Sequence, residues 1–320
     1  MNFCCELQMI SKKYLEIIRC PVSKQSLNLS VNKLVSKDKK YKYSISNEKI
    51  PIFFEEELVN DTSIQKDHYN KIYSSFIENL SYPHTIEYNN YLDKKLVEML
   101  SNNHYEFFAE ICCGTAEGLK LFDKNYKNGI GVDISIKMLN SAFNSKNTLN
   151  CQLIQGDAIN LPLKDNVLDC VLMLGGIHHI NQRNLLFKEI NRILKPNGIF
   201  IWRDPVDDFF LWRFIRKFIY KFSPMLDEKT EKPLRYLETK KQLLDNGFKL
   251  EKWDTLGFFG FCLFMNSDVL FINRFFRFIP KIRSVVNFFI NIDNYITNLN
   301  FFKKKGLIVI GYAKKLEVNK

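Results

Sequence analysis

Between residues 105 and 205 short apolar runs alternate with stretches of helical spacing, and this alternation constrains the chain more than any other feature. The apolar runs are Phe107–Ile111, Gly129–Asp133, Cys151–Ile154, Val167–Leu174 and Ile199–Trp202. Between them Met138, Leu139 and Ala142 share one side of a helix whose N-cap is Ser135. Leu185, Leu186, Ile190, Ile193 and Leu194 do the same for a second helix, which Lys195-Pro196-Asn197-Gly198 stops. Strands and amphipathic helices in strict alternation predict an α/β fold of parallel βαβ units, with helices on both faces of the sheet. In such a sheet a ligand binds beyond the carboxyl ends of the strands, where strand order reverses.

The residues at those ends form a series. The first run leads into Cys112–Gly118, a small-residue loop with glycines at 114 and 118. The second ends in Asp133, placed to accept hydrogen bonds from both hydroxyls of a ribose. The third is followed by Gly156-Asp157-Ala158, where Asp157 can accept from an exocyclic amine of adenine. The fourth ends in Gly175-Gly176, small enough to leave room beside a cofactor. A single aspartate after a strand is more often a helix cap than a ligand; four such ends in order point to a nucleoside. Glu110 would repel a pyrophosphate and favour a cation or an amine. The loop also lacks the G-x-G-x-x-G phosphate fingerprint, because position 112 is cysteine. A sulfonium cofactor without phosphate, S-adenosylmethionine, fits better.

On these residues the segment 105–205 resembles the class I S-adenosylmethionine-dependent methyltransferases, and is similar to the branch of bacterial ubiquinone and menaquinone biosynthesis. The family's acid-x-Gly-x-Gly-x-Gly motif is met at Glu110, Gly114 and Gly118, its second motif at Gly131-Val132-Asp133-Ile134-Ser135, and its third at Gln155-Gly156-Asp157-Ala158. Further on, Lys240–Phe248 looks like the helix and turn before the family's sixth strand, and Gly306–Ala313 like its seventh, antiparallel strand. The resemblance implies a Rossmann-like sheet, and cofactor contacts from Glu110, Cys112, Gly114, Thr115, Ala116, Gly118, Asp133, Ile134, Met138, Asp157, Ala158 and Leu174. Cys112 and Ala116 depart from it, standing where the family has glycine. Alanine at 116 is tolerable at negative φ and costly at positive φ, and Cys112 would crowd the methionine moiety.

Three regions flank or interrupt this core. Residues 1–58 read as a small β-rich module, 59–101 as a helical linker or lid, and 102–316 as the catalytic domain with cap insertions at 206–235 and 266–304. In the module, Cys20-Pro21-Val22 and Ile50-Pro51-Ile52-Phe53 resemble the ends of a zinc-ribbon-like domain. Ser23 replaces the partner of Cys20 and no second C-x-x-C pair follows, so no metal is expected. None of the eight cysteines lies in a C-x-x-C pair, which suits a reducing, cytoplasmic compartment. Neither a signal peptide nor a membrane span is expected.

For the chemistry, a hydroxyl acceptor needs its proton removed. His178 and His179 follow the fourth strand; one is expected to pack inward and His178 to face substrate. Arg203 and Asp204 follow the fifth strand, with Asp204 a further catalytic candidate. Tyr69, Tyr73, Tyr88 and Tyr91 are candidates to close over the cofactor. Residues 209–222 sort into an apolar helix face of Leu211, Phe214, Ile215, Phe218 and Phe222 and a basic face of Arg213, Arg216, Lys217 and Lys221. The acceptor expected is small or lipid-linked, methylated on oxygen, with peripheral contact at the inner face of a membrane as one role for the basic helices. The net charge of +11 also suits a methyltransferase of rRNA or tRNA, but no dedicated RNA module accompanies it. A noncatalytic partner protein with the same fold is the third alternative. Nothing in the sequence sets the oligomeric state.

Overall fold

Phe108 and Leu172 point to one side of a sheet and Ala109, Ile111, Val171 and Met173 to the other. This period-two alternation of apolar residues explains why both faces must be covered. In the computed structural model, which describes residues 10–53, 78–100, 103–145, 150–222, 231–265 and 271–317, they are. Strands β4 (Tyr105–Ile111), β5 (Tyr126–Asp133), β6 (Cys151–Gln155), β7 (Leu168–Leu174), β8 (Leu194–Pro205), β9 (Phe248–Leu256) and β10 (Ile308–Lys315) form one seven-stranded sheet in the order β6-β5-β4-β7-β8-β10-β9. The first five are parallel, while β10 runs antiparallel to both β8 and β9. Strand order reverses between β4 and β7.

Helices α3 (Glu117–Leu121) and α4 (Ile136–Asn144) cover one face through Leu119, Leu139 and Ala142. Helices α5 (Arg183–Ile193) and α7 (Tyr236–Asp245) cover the other through Leu186, Phe187, Ile190 and Leu243. Ser135 caps α4 as expected, its Oγ accepting from Met138 N–H at 3.3 Å. The turn Lys195–Gly198 is an excursion within β8 rather than a stop before it: Leu168 pairs with Leu194 and Cys170 with Ile199, with Asn197 at φ +62°. Gly311 brings β10 against the sheet, since a Cβ there would sit 2.1 Å from the Trp202 ring.

The N-terminal module holds α1 (Lys12–Leu15) and an antiparallel sheet of β1 (Leu27–Ser30), β2 (Lys33–Ser36) and β3 (Lys42–Ser44). It covers the outer edge of β6: Gln155 N–H donates to Pro51 O and Phe53 N–H to Gln155 O, each at 2.9 Å. Ile18 bridges to Leu163, and Ile18, Leu34 and Phe53 join the same apolar cluster as Val132 and Ile154. Cys20 Sγ lies 3.0 Å from Tyr43 Oη and accepts from Ser23 N–H. Among the described residues no three His, Cys, Asp or Glu side chains are grouped to hold a metal.

The cap consists of α2 (Pro83–Leu100), α6 (Phe210–Phe222), α8 (Phe259–Phe264), a 3-10 segment Phe271–Phe278, and α9 (Ile282–Asn298). Among the described residues no helix is long and apolar enough to cross a membrane. Residues 259–264, which continue an apolar run, are helical and not part of a strand. Two expectations for the cap are corrected. Tyr88 is fully buried and donates to Asp293 Oδ2 at 2.7 Å, while Tyr91 donates to Asn294. Both therefore tie α2 to α9 instead of closing over a ligand; Tyr69 and Tyr73 lie outside the described residues. Helix α6 buries Trp212 against Phe209, Phe258 and Leu307, and Phe214 is 71% exposed. The side chains of Phe218–Phe222 lie outside the described set. The helix is apolar on more than one side, so its partner chose the buried one: Trp212 fills the cluster and donates its indole N–H to Lys305 O at 3.0 Å.

Candidate cofactor and active site

The loop after β4 turns three times through the left-handed region, at Cys112 (φ +55°), Gly114 (φ +50°) and Ala116 (φ +62°). Only Gly114 is suited to it without strain. Alanine 116 thus adopts the costly alternative, and it is wholly buried among Phe108, Leu119 and Leu139. Cys112 packs against Gly176, where an added Cβ would lie 2.7 Å from Cys112 Cβ. The Gly175-Gly176 pair is therefore split in role. Gly176 makes room for Cys112, and Gly175 (φ +68°) faces open space.

Two acids hold the loop. Glu110, buried at the end of β4, accepts from Gly118 N–H at 3.1 Å and Leu119 N–H at 2.9 Å, the free donors at the start of α3. Gly118 allows this approach, since its Cβ would meet Glu110 Oε1 at 2.6 Å. Burial pushes the Glu110 carboxyl up to about 8, against the lowering effect of those two donors. Asp133 accepts from Gly114 N–H through Oδ2 and from Ser135 N–H through Oδ1, both at 2.8 Å. Burial raises its pKa also, opposed by these bonds. A carboxylate has about four lone-pair sites, so Asp133 can anchor the loop and still accept from a ligand.

Beyond the ends of β4, β5, β7 and β8 opens a cavity of about 730 Å³, within the usual range for small-molecule sites. Of the predicted cofactor residues, Glu110, Cys112, Gly114, Thr115, Asp133, Ile134, Met138, Asp157, Ala158 and Leu174 line it. Ala116 and Gly118 do not; they shape the loop from behind. Asp157 also accepts from Ile159 N–H at 3.0 Å. Beside Glu110, three further acids line this end (Glu117, Asp133 and Asp157), and carboxylates there favour a cationic ligand and disfavour phosphate.

His178 and His179 both line the cavity, with ring centroids 3.8 Å apart. Asp204 does not reach it. Fully buried, Asp204 accepts from Ile177 N–H at 2.9 Å, from His178 N–H at 3.1 Å, and pairs with His178 Nδ1 at 2.8 Å. Its bonds hold both the backbone and the ring of His178. With Nδ1 donating to Asp204, the lone pair of His178 is on Nε2. Arg203 lines the cavity and pairs with Asp93 of α2 at 2.6 Å. Sequence reasoning missed Asn89, Asn90 and Asp93 of α2 and Phe261 and Met265 around α8, which wall the far end. Only the polar Asn89-Asn90 pair beside the apolar stripe of α2 was available as a signal.

The comparisons bear on this geometry. Residues 109–202 match the methyltransferase domain family. Over 94 residues the chain is 39% identical to the demethylmenaquinone methyltransferase of Staphylococcus carnosus, covering 28% of this chain and 39% of that protein. Over 112 residues it is 34% identical to the demethylmenaquinone methyltransferase of Lactobacillus johnsonii, covering 33% and 46%. The chain thus spans less than half the length of these curated relatives. Among solved structures, it is similar to a complex between the Haloferax volcanii Trm112 methyltransferase activator and a methyltransferase, with TM-score 0.54, 15% identity, 80% of this chain and 99% of that chain covered. It is also similar to Haemonchus contortus phosphoethanolamine N-methyltransferase 2 in complex with S-adenosyl-L-methionine, with TM-score 0.55, 14% identity, and 83% and 62% covered. At such identities the likeness is one of fold: a Rossmann-like sheet with its last strand antiparallel.

Proposed function

We propose that the protein is an S-adenosylmethionine-dependent methyltransferase acting on the hydroxyl of a small or lipid-linked acceptor. The observation that carries this is the acidic wall of the cavity, in which Glu110, Asp133 and Asp157 stand at successive strand ends. Asp133 would hold the ribose, Asp157 the adenine amine, and the loop around Gly114 and Thr115 the methionine moiety. The bound cofactor supplies a methyl group already activated by the sulfonium. The protein's part is to exclude water and align the acceptor oxygen with methyl and sulfur. His178 would take the acceptor proton at Nε2, while Asp204 fixes the tautomer and stabilises the imidazolium that forms. The far wall sets Leu80, Ile86, Phe261 and Met265 beside Asn89, Asn90 and Asp93, which suits an acceptor with an apolar body and a polar group. The N-terminal module, likened to a zinc ribbon without its ligands, would serve as a fixed cover for β6.

Calorimetry with S-adenosylmethionine tests the cofactor site. Asp133→Ala should weaken affinity about tenfold or more, at ~1.5–3 kcal/mol for hydrogen bonds to a charged group. His178→Ala should leave that affinity intact and remove turnover. Unchanged affinity in a folded Asp133→Ala variant would sink the ribose assignment.

A further inference from the structure

Helix α9 carries two apolar stripes. Ile282, Val286 and Ile290 are buried against α2 and the 3-10 segment before α9. On another side Val285, Phe288, Ile292 and Tyr295 recur at intervals of three and four residues, which sets them on one face, and Leu299 follows just past the helix end. Val285 is 36% exposed, Phe288 61%, Tyr295 71% and Leu299 41%, and Ile292 is half-buried. A helix on a protein surface normally turns charge to the solvent. Here Arg283 and Asp293 are the only charged residues of the helix, and Asp293 is buried.

Around the helix cations outnumber acids. Residues 269–306 hold seven Lys or Arg and one acid, Asp293. Asp293 is inside, bonded to Tyr88; the acids Glu78 and Glu87 meet Arg277 and Asn287 from outside this segment, which leaves Lys281, Arg283 and Lys303–Lys305 as an excess of positive charge. Basic residues flank the stripe at both ends: Arg277 and Lys281 before it, Lys303 and Lys304 after it. An exposed aromatic accompanies each group, Phe278 at 69% and Phe301 at 68%.

We propose that this outer face of α9 docks on an anionic lipid bilayer. The apolar stripe would enter the boundary between headgroups and acyl chains, and the flanking cations would meet the headgroups. A protein partner would need only an apolar surface of matching shape, whereas the cations at both ends of the stripe fit an anionic surface. RNA would call for cations along the helix, and these stand at its ends instead. The inference goes beyond methyl transfer and does not depend on it. Helix α9 packs on α8, beside which Phe261 and Met265 wall the far end of the cavity, so one layer would face both bilayer and acceptor.

Flotation of the full-length protein with vesicles tests it, using phosphatidylcholine alone and phosphatidylcholine mixed with phosphatidylglycerol. Binding is expected to the mixed vesicles only, and to weaken with salt. The double variant Phe288→Ser/Tyr295→Ser should lower the vesicle-bound fraction about tenfold or more. Both positions are exposed, so the melting temperature and S-adenosylmethionine affinity should stay as in the parent, which separates this outcome from failure of the cofactor site. Absence of binding to mixed vesicles, or binding unchanged in the double variant, would overturn the proposal. So would preferential retention on total RNA, or a sedimenting dimer that the double variant disperses.

Discussion

At position 116 a methyl group stands where the backbone favours glycine. A left-handed φ costs an L-residue about 1–2 kcal/mol. Against this, burying the methyl returns about 0.8 kcal/mol, and alanine avoids the roughly 0.5–1 kcal/mol of extra chain entropy that glycine loses. The terms nearly cancel, which is why the departure from glycine is tolerated. Ala116→Gly should therefore shift stability by less than about 1 kcal/mol, whereas Ala116→Val, β-branched at positive φ, should cost several times that. Denaturant midpoints at constant m-value would check both. Glu110 gives a pH prediction of definite sign. Its folded-state pKa lies above its unfolded value, so the native state binds more protons between about 4.5 and about 8. Stability contributed by this group is present at the acid end and is lost as pH rises through about 8, with a slope of at most ~1.4 kcal/mol per pH unit. Melting curves across that window should show a flatter dependence in Glu110→Gln; an identical slope would remove Glu110 from the account.

Among the elements, the cap depends on one carboxyl group. Asp293 of α9 accepts from Tyr88 Oη on α2 and from the N–H groups of Gly260 and Phe261, each at 3.0 Å, at the start of α8. Three helices therefore meet at a side chain that satisfies free donors of a six-residue helix too short to persist alone. With about 1 kcal/mol per hydrogen bond, Asp293→Ala should destabilise the protein by about 2–3 kcal/mol. Because Phe261 walls the cavity, acceptor KM should rise more than S-adenosylmethionine affinity falls. A loss confined to the cofactor would place the role of Asp293 elsewhere. Helix α6 shows the limit of periodicity at this scale: with Phe210, Trp212, Phe214 and Ile215 spread around it, the apolar stripe is too broad to name the buried side.

For the molecule as a whole, the N-terminal module is continuous with the main core. Ile18 is fully buried in the cluster that also holds Val132, Ile154 and Leu163, and the segment through Phe53 covers the otherwise open edge of β6. Ile18→Ala should cost about 2–5 kcal/mol. It should lower one common unfolding transition, read both by near-ultraviolet circular dichroism and by S-adenosylmethionine protection. Two separate transitions, with the cofactor-binding one unmoved, would show that the module folds apart from the catalytic core.

Most of the cavity lining at the strand ends was legible in the sequence, because it is local. Glu110, Gly114, Asp133 and Asp157 stand at ends of strands, and the alternation of apolar runs and helices alone brings such ends to one edge of a parallel sheet. The left-handed turn at Ala116 was legible as a question only and that at Cys112 not at all, since φ depends on how Glu110 and Asp133 pull the loop closed. The rest of the cavity depended on tertiary structure. The pairing of Asp204 with His178 joins residues 26 apart, that of Arg203 with Asp93 joins residues 110 apart, and that of Tyr88 with Asp293 joins residues 205 apart. Such contacts leave no periodic trace in the chain. Local patterning determined which residues stand at the strand ends that open on the cavity, and packing between distant elements decided which side chains wall the rest of it and which faces of the cap are left to the solvent.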